Sequence, residues 1–306
     1  MSWDGPTAEW WREEVGADPV YARDVDPLLE ELLDGVGPGS TIDLGCGDGR
    51  LLGRHAAVGV DRSTDLVSAA ARRGSAVVAD VGCLPFATGA WRAPGNNTNT
   101  FARESHIDIL AVQAGIDPVE FRLRNLTDKK MRQVLETTAN HFGWLEAGAP
   151  SGRGQGIALG IDAGTYVGLA VEVDVDQSTG KVSVKRMVCA QNMGLAINPE
   201  GATIQMEGCL TMGLGYALAE HVRFSGGEIL DTNFDTYEIP RFSWLPKIET
   251  VIIDAENDPP QGGGEPAIVV VGAAIANAIF DAVGARVYRM PMTADRVRDA
   301  MRRSDR

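Results

Sequence analysis

Basic residues are in short supply in this chain of 306 residues: 28 Lys and Arg stand against 42 Asp and Glu, a formal net charge of -14. A nucleic-acid binder needs clustered cations to displace the counterions of a phosphate backbone, so that class is excluded. Cysteine is scarce as well. Cys46, Cys83, Cys189 and Cys209 are widely scattered and form no CxxC pair, so no zinc or iron–sulfur ligand set can be read from them. Long hydrophobic runs are missing. The longest apolar stretch, 267–280, is short for a membrane span and carries small residues suited to close packing. The start, Met1-Ser-Trp-Asp4, shows no basic region followed by an apolar stretch, so no signal peptide and a cytoplasmic location are expected. The 44% hydrophobic content is usual for a soluble globular protein. The length allows roughly one to three domains.

The first part of the chain alternates helix and strand patterns. Residues 22–33 surround Leu28, Leu29, Leu32 and Leu33 with acidic residues, an amphipathic helix pattern, and Gly37-Pro-Gly39 breaks it. Three short apolar stretches then read as strands: 41–44, 57–61 and 76–80. Asp43, Asp61 and Asp80 lie at or next to their carboxyl ends. In a parallel α/β sheet ligands bind at those ends, where carboxylates accept ribose or adenine hydrogen bonds. The loop Gly45-Cys-Gly-Asp-Gly49 follows the first strand, and its glycines let the backbone turn sharply beside a ligand. A lone glycine-rich loop is more often an ordinary turn, but three acidic strand ends strengthen the ligand reading. The Gly-x-Gly-x-Gly spacing also differs from that of dinucleotide folds.

From about Val36 to Ala90 the chain resembles class I S-adenosylmethionine-dependent methyltransferases. The resemblance implies that Gly45, Gly47 and Gly49 bend around the methionine part with Asp43 at the head of the loop. Asp61 would hold the ribose hydroxyls, Asp80 would lie near the adenine, and Leu84-Pro85-Phe86 matches the turn that follows in that family. The pattern then stops at Trp91, where Arg92-Ala-Pro-Gly95 replaces the expected Asp and fourth strand. Half a doubly wound sheet leaves an apolar edge and uncovered faces, so independent methyltransferase activity is not expected.

Beyond Trp91 the pattern is different. Helices are expected over 100–114, 119–126 and 131–142, with Asp117-Pro118 opening the second. From Gly152 the texture becomes β: 169–176 and 181–189 alternate around the turn Gln177-Ser-Thr-Gly180, a hairpin. A helix over 205–220 carries Gly208, Gly213 and Gly215 for close approach of a neighbour, and 248–254 reads as a strand. A final helix covers 273–283, on which Asn277 and Asp281 read as a polar edge. His106 and His141 sit in helical surroundings and read as surface residues rather than ligands.

Several stretches in order resemble the C-terminal part of the molybdopterin-binding subunit of the xanthine dehydrogenase and aldehyde oxidase family. They are Trp91-Arg-Ala-Pro-Gly95, Glu104-Ser-His-Ile-Asp108, Gly115-Ile-Asp-Pro118 with Phe121-Arg-Leu-Arg-Asn125, and Gly152-Arg-Gly-Gln-Gly-Ile-Ala158. Further on come Asn198-Pro-Glu-Gly201, Gln205-Met-Glu-Gly208, Asn233-Phe-Asp-Thr-Tyr237 and Gly264-Glu-Pro266. The resemblance implies a molybdenum–molybdopterin cofactor and hydroxylation of an aldehyde or N-heterocycle with oxygen from water. Glu265 would be the general base, since a carboxylate within reach of the attacking hydroxyl can take its proton. Gly262 to Gly264 would let it approach the metal centre, and Pro266 would stiffen the turn. Taken alone, the same loop reads as a surface turn with a solvated Glu. Gln205 would contact the pterin edge, with a helix-surface amide as the competing reading. Arg92 and Gly95 match a loop beside the metal centre, and Gly264 adjoins the base.

The expected architecture is therefore an α/β N-terminal half-domain, a partial Rossmann-like sheet over 1–90, followed by an α+β molybdopterin-binding-type region over 91–306. Iron–sulfur and flavin subunits are the expected partners, as in many relatives. The upstream parts of that family, which carry much of the pterin cradle, have no counterpart before Trp91. The expected function is a molybdenum hydroxylase piece, incomplete and inactive alone. Two other readings stand beside it: an S-adenosylmethionine binder or methyltransferase acting through the first segment, and a non-enzymatic chain that docks to oxidoreductase subunits.

Overall fold

The computed structural model describes residues 42–44, 58–61, 75–78 and 92–304, apart from 94, 146–149 and 254. Contacts divide the chain into two compact units, Met1–Phe86 and Ala87–Arg306. In the first, β1 (Ile42–Leu44), β2 (Val58–Asp61) and β3 (Ser75–Val78) form a three-stranded parallel sheet in that order. Asp43 lies within β1 and Asp61 ends β2. Gly45, Gly47, Gly49 and Asp80 lie outside the described residues, as do the 22–33 helix pattern, the Leu84-Pro85-Phe86 turn and Trp91.

The second unit is built on a four-stranded sheet. Its strands are β4 (Arg153–Asp162), β5 (Thr165–Val175), β6 (Val182–Asn192) and β9 (Lys247–Ile252), in the order β4-β5-β6-β9. The first three are antiparallel neighbours and β9 joins β6 in parallel. The hairpin expected from the alternating pattern is β5–β6, with β5 starting four residues earlier and β6 ending three residues later than the pattern indicates. Asp176 fastens its turn by accepting from the Ser178 and Thr179 amides.

Alternation along the strands feeds two apolar layers. Leu169, Val171, Met187 and Cys189 point to one face, where α4 (Pro199–Leu218) and α5 (Val271–Val283) cover them. Ile157, Ala170, Val188 and Ala190 point to the other, beneath α3 (Lys129–Phe142). Before α3 stand α1 (Asn96–Gln113) and α2 (Pro118–Asn125), and α6 (Ala294–Ser304) closes the unit. A small hairpin, β7 (Phe224–Ser225) with β8 (Glu228–Ile229), lies between α4 and β9. Asp117 caps α2 by accepting from Val119 and Glu120 N–H, as its place before Pro118 predicts. Asn198 caps α4 through Gly201 N–H.

Glycine decides how near α5 can lie to the sheet. A Cβ at Gly154 would stand 2.3 Å from the Ala278 carbonyl oxygen, and one at Gly156 would stand 2.2 Å from that of Ala274. The helix answers with small residues, Ala274, Ala278 and Ala282, all buried. The stretch Pro266–Val283 is apolar enough over 18 residues (mean hydropathy 1.9) to cross a bilayer, yet 83% of it is buried inside the protein. It is a core element.

Two expectations need correction. Asn277 is not part of a polar edge: it is 2% exposed and donates to the Ile157 carbonyl at 3.0 Å. Asp281 does accept a hydrogen bond, from Gln155 N–H at 2.8 Å, but it is half-buried and burial pushes its carboxyl above the usual range. The helical period placed both on one side correctly. It could not show that this side meets strand β4, whose backbone needs partners. His106 and His141, by contrast, are exposed as expected.

Gly156→Ala is expected to lower unfolding free energy by about 3 kcal/mol, because a methyl there meets helix backbone rather than a movable side chain. Urea denaturation followed by circular dichroism checks this. A loss below about 1 kcal/mol would show that α5 can shift away from β4 at little cost.

Candidate active site

The loop from Gln261 to Glu265 runs between α4 and the carboxyl end of β6. Its three glycines have φ values outside the left-handed region, so none is required for turning, and space restricts two of them. A Cβ at Gly262 would approach that of Ala163 to 2.6 Å, and one at Gly263 would lie 3.2 Å from Met193 Sδ. At Gly264 the nearest atom, Gln205 Oε1, is 3.9 Å away, so that position is open. The loop is tied at both ends. Gln261 N–H donates to Met193 O (2.8 Å), Gly262 N–H to Ala163 O (3.1 Å), and Thr165 Oγ1 donates to Gly262 O (2.8 Å). At the far end Arg92 donates to the Gly264 carbonyl, and Cys209 Sγ lies 3.3 Å from the same oxygen.

Four of the residues singled out from the sequence meet here: Arg92, Gln205, Gly264 and Glu265. Arg92 Nη2 donates to Gln205 Oε1 at 2.6 Å, and Arg92 Nη1 reaches Met212 Sδ at 3.1 Å. The adjacent Ala93 N–H donates to Glu265 Oε2 at 3.1 Å. One side of the carboxylate is thereby fixed while the residue remains exposed. Gly95, the fifth, stands at the start of α1 with nothing within 4 Å of where its Cβ would be. Among the described residues no group of three or more His, Cys, Asp and Glu is placed to hold a metal ion directly.

The backbone at 92–93 explains how a main-chain N–H comes to face the carboxylate. Ala93 has φ +51°, a left-handed conformation that costs a non-glycine residue about 1–3 kcal/mol. Asn97 holds it there, its Nδ2 donating to the carbonyls of Arg92 (2.7 Å) and Ala93 (2.8 Å). Tyr216 Oη lies 2.6 Å from both Asn97 Oδ1 and the Ile268 carbonyl, joining this turn to the 3-10 turn after Glu265. Ala93, Asn97, Tyr216 and Cys209 were not singled out from the sequence. Asn97 and Tyr216 are 119 residues apart, and no local periodicity connects such a pair.

Electrostatics agree with the geometry. Burial pushes the Cys209 thiol up to about 11, against a smaller lowering by the Arg92 guanidinium. Burial likewise pushes the Cys189 thiol and the Tyr216 hydroxyl far up. These two thiols and the phenol are therefore neutral. A molybdopterin group fits as a neighbour on one side only. The open positions at Gly95 and Gly264 leave room, Gln205 presents an exposed amide, and Glu265 presents a carboxylate able to accept a proton. The described residues supply one wall.

Comparison with known proteins gives the same answer. Residues 110–246 and 85–126 match two models that each describe a molybdopterin cofactor-binding domain. The chain is 36% identical over 234 residues to a nicotinate dehydrogenase subunit of Pseudomonas putida, covering 71% of this chain and 20% of that one. It is 32% identical over 195 residues to the beta subunit of isoquinoline 1-oxidoreductase of Brevundimonas diminuta, covering 63% of this chain and 25% of that one. In structure it is similar to quinoline 2-oxidoreductase from Pseudomonas putida 86, with TM-score 0.61 and 14% identity over 70% of this chain and 53% of that one. Over residues 85–246 the chain is thus similar to molybdopterin cofactor-binding domains, and it is similar to the two oxidoreductase subunits. The chain spans 20% and 25% of the length of the two relatives.

Because a thiol near 11 is only about one part in a thousand thiolate at pH 8, Cys209 is expected to resist iodoacetamide in the folded chain. It should react within minutes once guanidinium unfolds the protein. Peptide mapping that finds native Cys209 alkylated as fast as a free thiol would show that the loop does not cover it.

Proposed function

We propose that this chain carries the base-bearing wall of a molybdenum hydroxylase acting on an N-heterocycle or an aldehyde. The observation that carries the reading is the meeting of Arg92, Gln205, Gly264 and Glu265 from three separated stretches at one open face. The two relatives are named for nicotinate and isoquinoline, which favours a heterocyclic substrate. When bound, a molybdenum–molybdopterin group supplies the two-electron oxidation of a carbon centre with oxygen from water. Glu265, held by Ala93 N–H at Oε2, would be the residue able to accept a proton at its free oxygen. Gln205, its amide oxygen accepting from Arg92, would be the residue to meet the pterin edge. Gly95 and Gly264 keep the approach clear of side chains. Iron–sulfur and flavin subunits, which would carry the electrons away, are the proposed partners, and the cytoplasm the proposed location.

With Glu265 and Gln205 both exposed, the wall does not enclose a cofactor by itself. The chain purified from cells that make molybdopterin is expected to hold far less than one molybdenum per polypeptide. Stoichiometric metal with heterocycle or aldehyde oxidation would overturn the need for a further wall. In a protein that completes the site, Glu265→Gln should cut turnover by about 100-fold or more with molybdenum content unchanged. Unchanged turnover would end the role given to Glu265.

A second reading rests on the first unit, whose three parallel strands bring Asp43 and Asp61 onto adjacent strands. We propose S-adenosylmethionine as its ligand, through Asp43, Gly45, Gly47, Gly49, Asp61 and Asp80. Titration calorimetry at high protein concentration decides the matter: heat with saturable stoichiometry supports it, and no heat ends it.

A further inference from the structure

Gln191, the penultimate residue of β6, is fully buried, and neither its Nε2 nor its Oε1 finds a hydrogen-bond partner. Its neighbours on the same face of the strand, Met187 and Cys189, belong to the apolar core. An apolar side chain would satisfy that position fully, whereas a buried amide with unmade bonds lowers stability by its lost hydration. The place of the amide gives it a use. Its Nε2 lies 3.9 Å from where a Cβ of Gly263 would stand, directly beneath the glycine loop that carries Glu265. The loop is tied at Gln261 and Gly262 on one side and at Gly264 on the other, with Gly263 over the amide between them.

We propose that Gln191 is a positioning residue that makes this loop a flap. With the loop down the amide is unpaired; with the loop raised, water reaches it and its hydrogen bonds are made. The penalty exists only in the lowered state, so it shifts the loop's equilibrium toward opening without touching the ligand side of Glu265. An openable loop allows a bulky cofactor and substrate to enter beside a carboxylate that is afterwards held close. The catalytic meaning rests on the role proposed for Glu265, whereas the flap itself does not.

The test uses the full chain without cofactor. Gln191→Leu removes the penalty, so the amides of Gln261 and Gly262, bonded to Met193 and Ala163, should exchange with solvent about tenfold more slowly. The thermal midpoint should rise. Amides in the β5–β6 ladder should change only as far as global stability does. Gln191→Met, unbranched and close in volume, should give the same slowing if leucine packs badly. Gln191→Glu should act in the opposite direction at neutral pH, since a buried carboxylate gains still more from water. A raised midpoint with unchanged exchange at Gln261 and Gly262 would make Gln191 an unfavourable core residue and nothing more. Faster exchange in the leucine and methionine variants would overturn the proposal outright. Because exchange is read without metal, these results stand apart from whether Glu265 proves to be the base.

Discussion

The second unit is built around a buried set of charges that pair with one another, although Arg286 Nε finds no partner. Glu104, Asp108 and Arg122 are each less than 5% exposed, and Arg286 joins them. Arg122 Nε donates to Glu104 Oε2 at 3.2 Å, and its Nη1 to the Pro118 carbonyl at 3.0 Å. Glu104 Oε2 also accepts from Leu159 N–H at 2.9 Å, while Asn277 accepts from Arg286 and donates to the Ile157 carbonyl. Taking such charges from water is costly, and the mutual attraction repays it only when every remaining donor and acceptor is met. The network ties together α1, α2, β4, α5 and Arg286 just beyond α5. An apolar core would tolerate α1 sliding along its own axis. This one does not, and the register of α1 places Ala93 N–H against Glu265.

The same demand for fixed approach recurs at α5, where glycines on β4 let helix backbone lie almost on strand backbone. The sheet, α5 and the 3-10 turn at Pro266 then form one continuous support ending at Glu265. The carboxylate is presented from this support, with its free side open. Strain collects at the same place: Ala93 in a left-handed conformation and Gln191 with an unpaired amide both adjoin the glycine loop. Local rules are broken where a site has to be built, and the surrounding network holds the exceptions in position.

The sequence revealed these parts unequally. The β5–β6 hairpin and the helices were legible because burial imposes a period of two or of 3.6, which any single stretch displays. Glu265, Gln205, Arg92 and Gly264 were legible as members of ordered stretches resembling a known family, and the fold brings them together. The roles of Asn97, Tyr216 and Cys209 were not legible, because each depends on a partner more than 50 residues away or on a backbone angle. Asn277 was misread for the same reason: helical periodicity shows which side of α5 it occupies but not what that side meets.

Exposure distinguishes this site from a finished one. A general base, the role proposed for Glu265, is most effective when its pKa lies near the working pH, and burial or a neighbouring charge is what moves a carboxylate there. Glu265 is exposed, and its Oε2 accepts from the Ala93 N–H. What it lacks is an apolar cover over the free oxygen, and the described residues place none there. The carboxylate is thus positioned by this chain, with its other oxygen left uncovered among the described residues. A covering wall that excludes water would at once strengthen the Ala93 hydrogen bond and raise the proton affinity of the free oxygen. Positioning and tuning are therefore separable here, the first built into the α1–α5 network and the second dependent on enclosure.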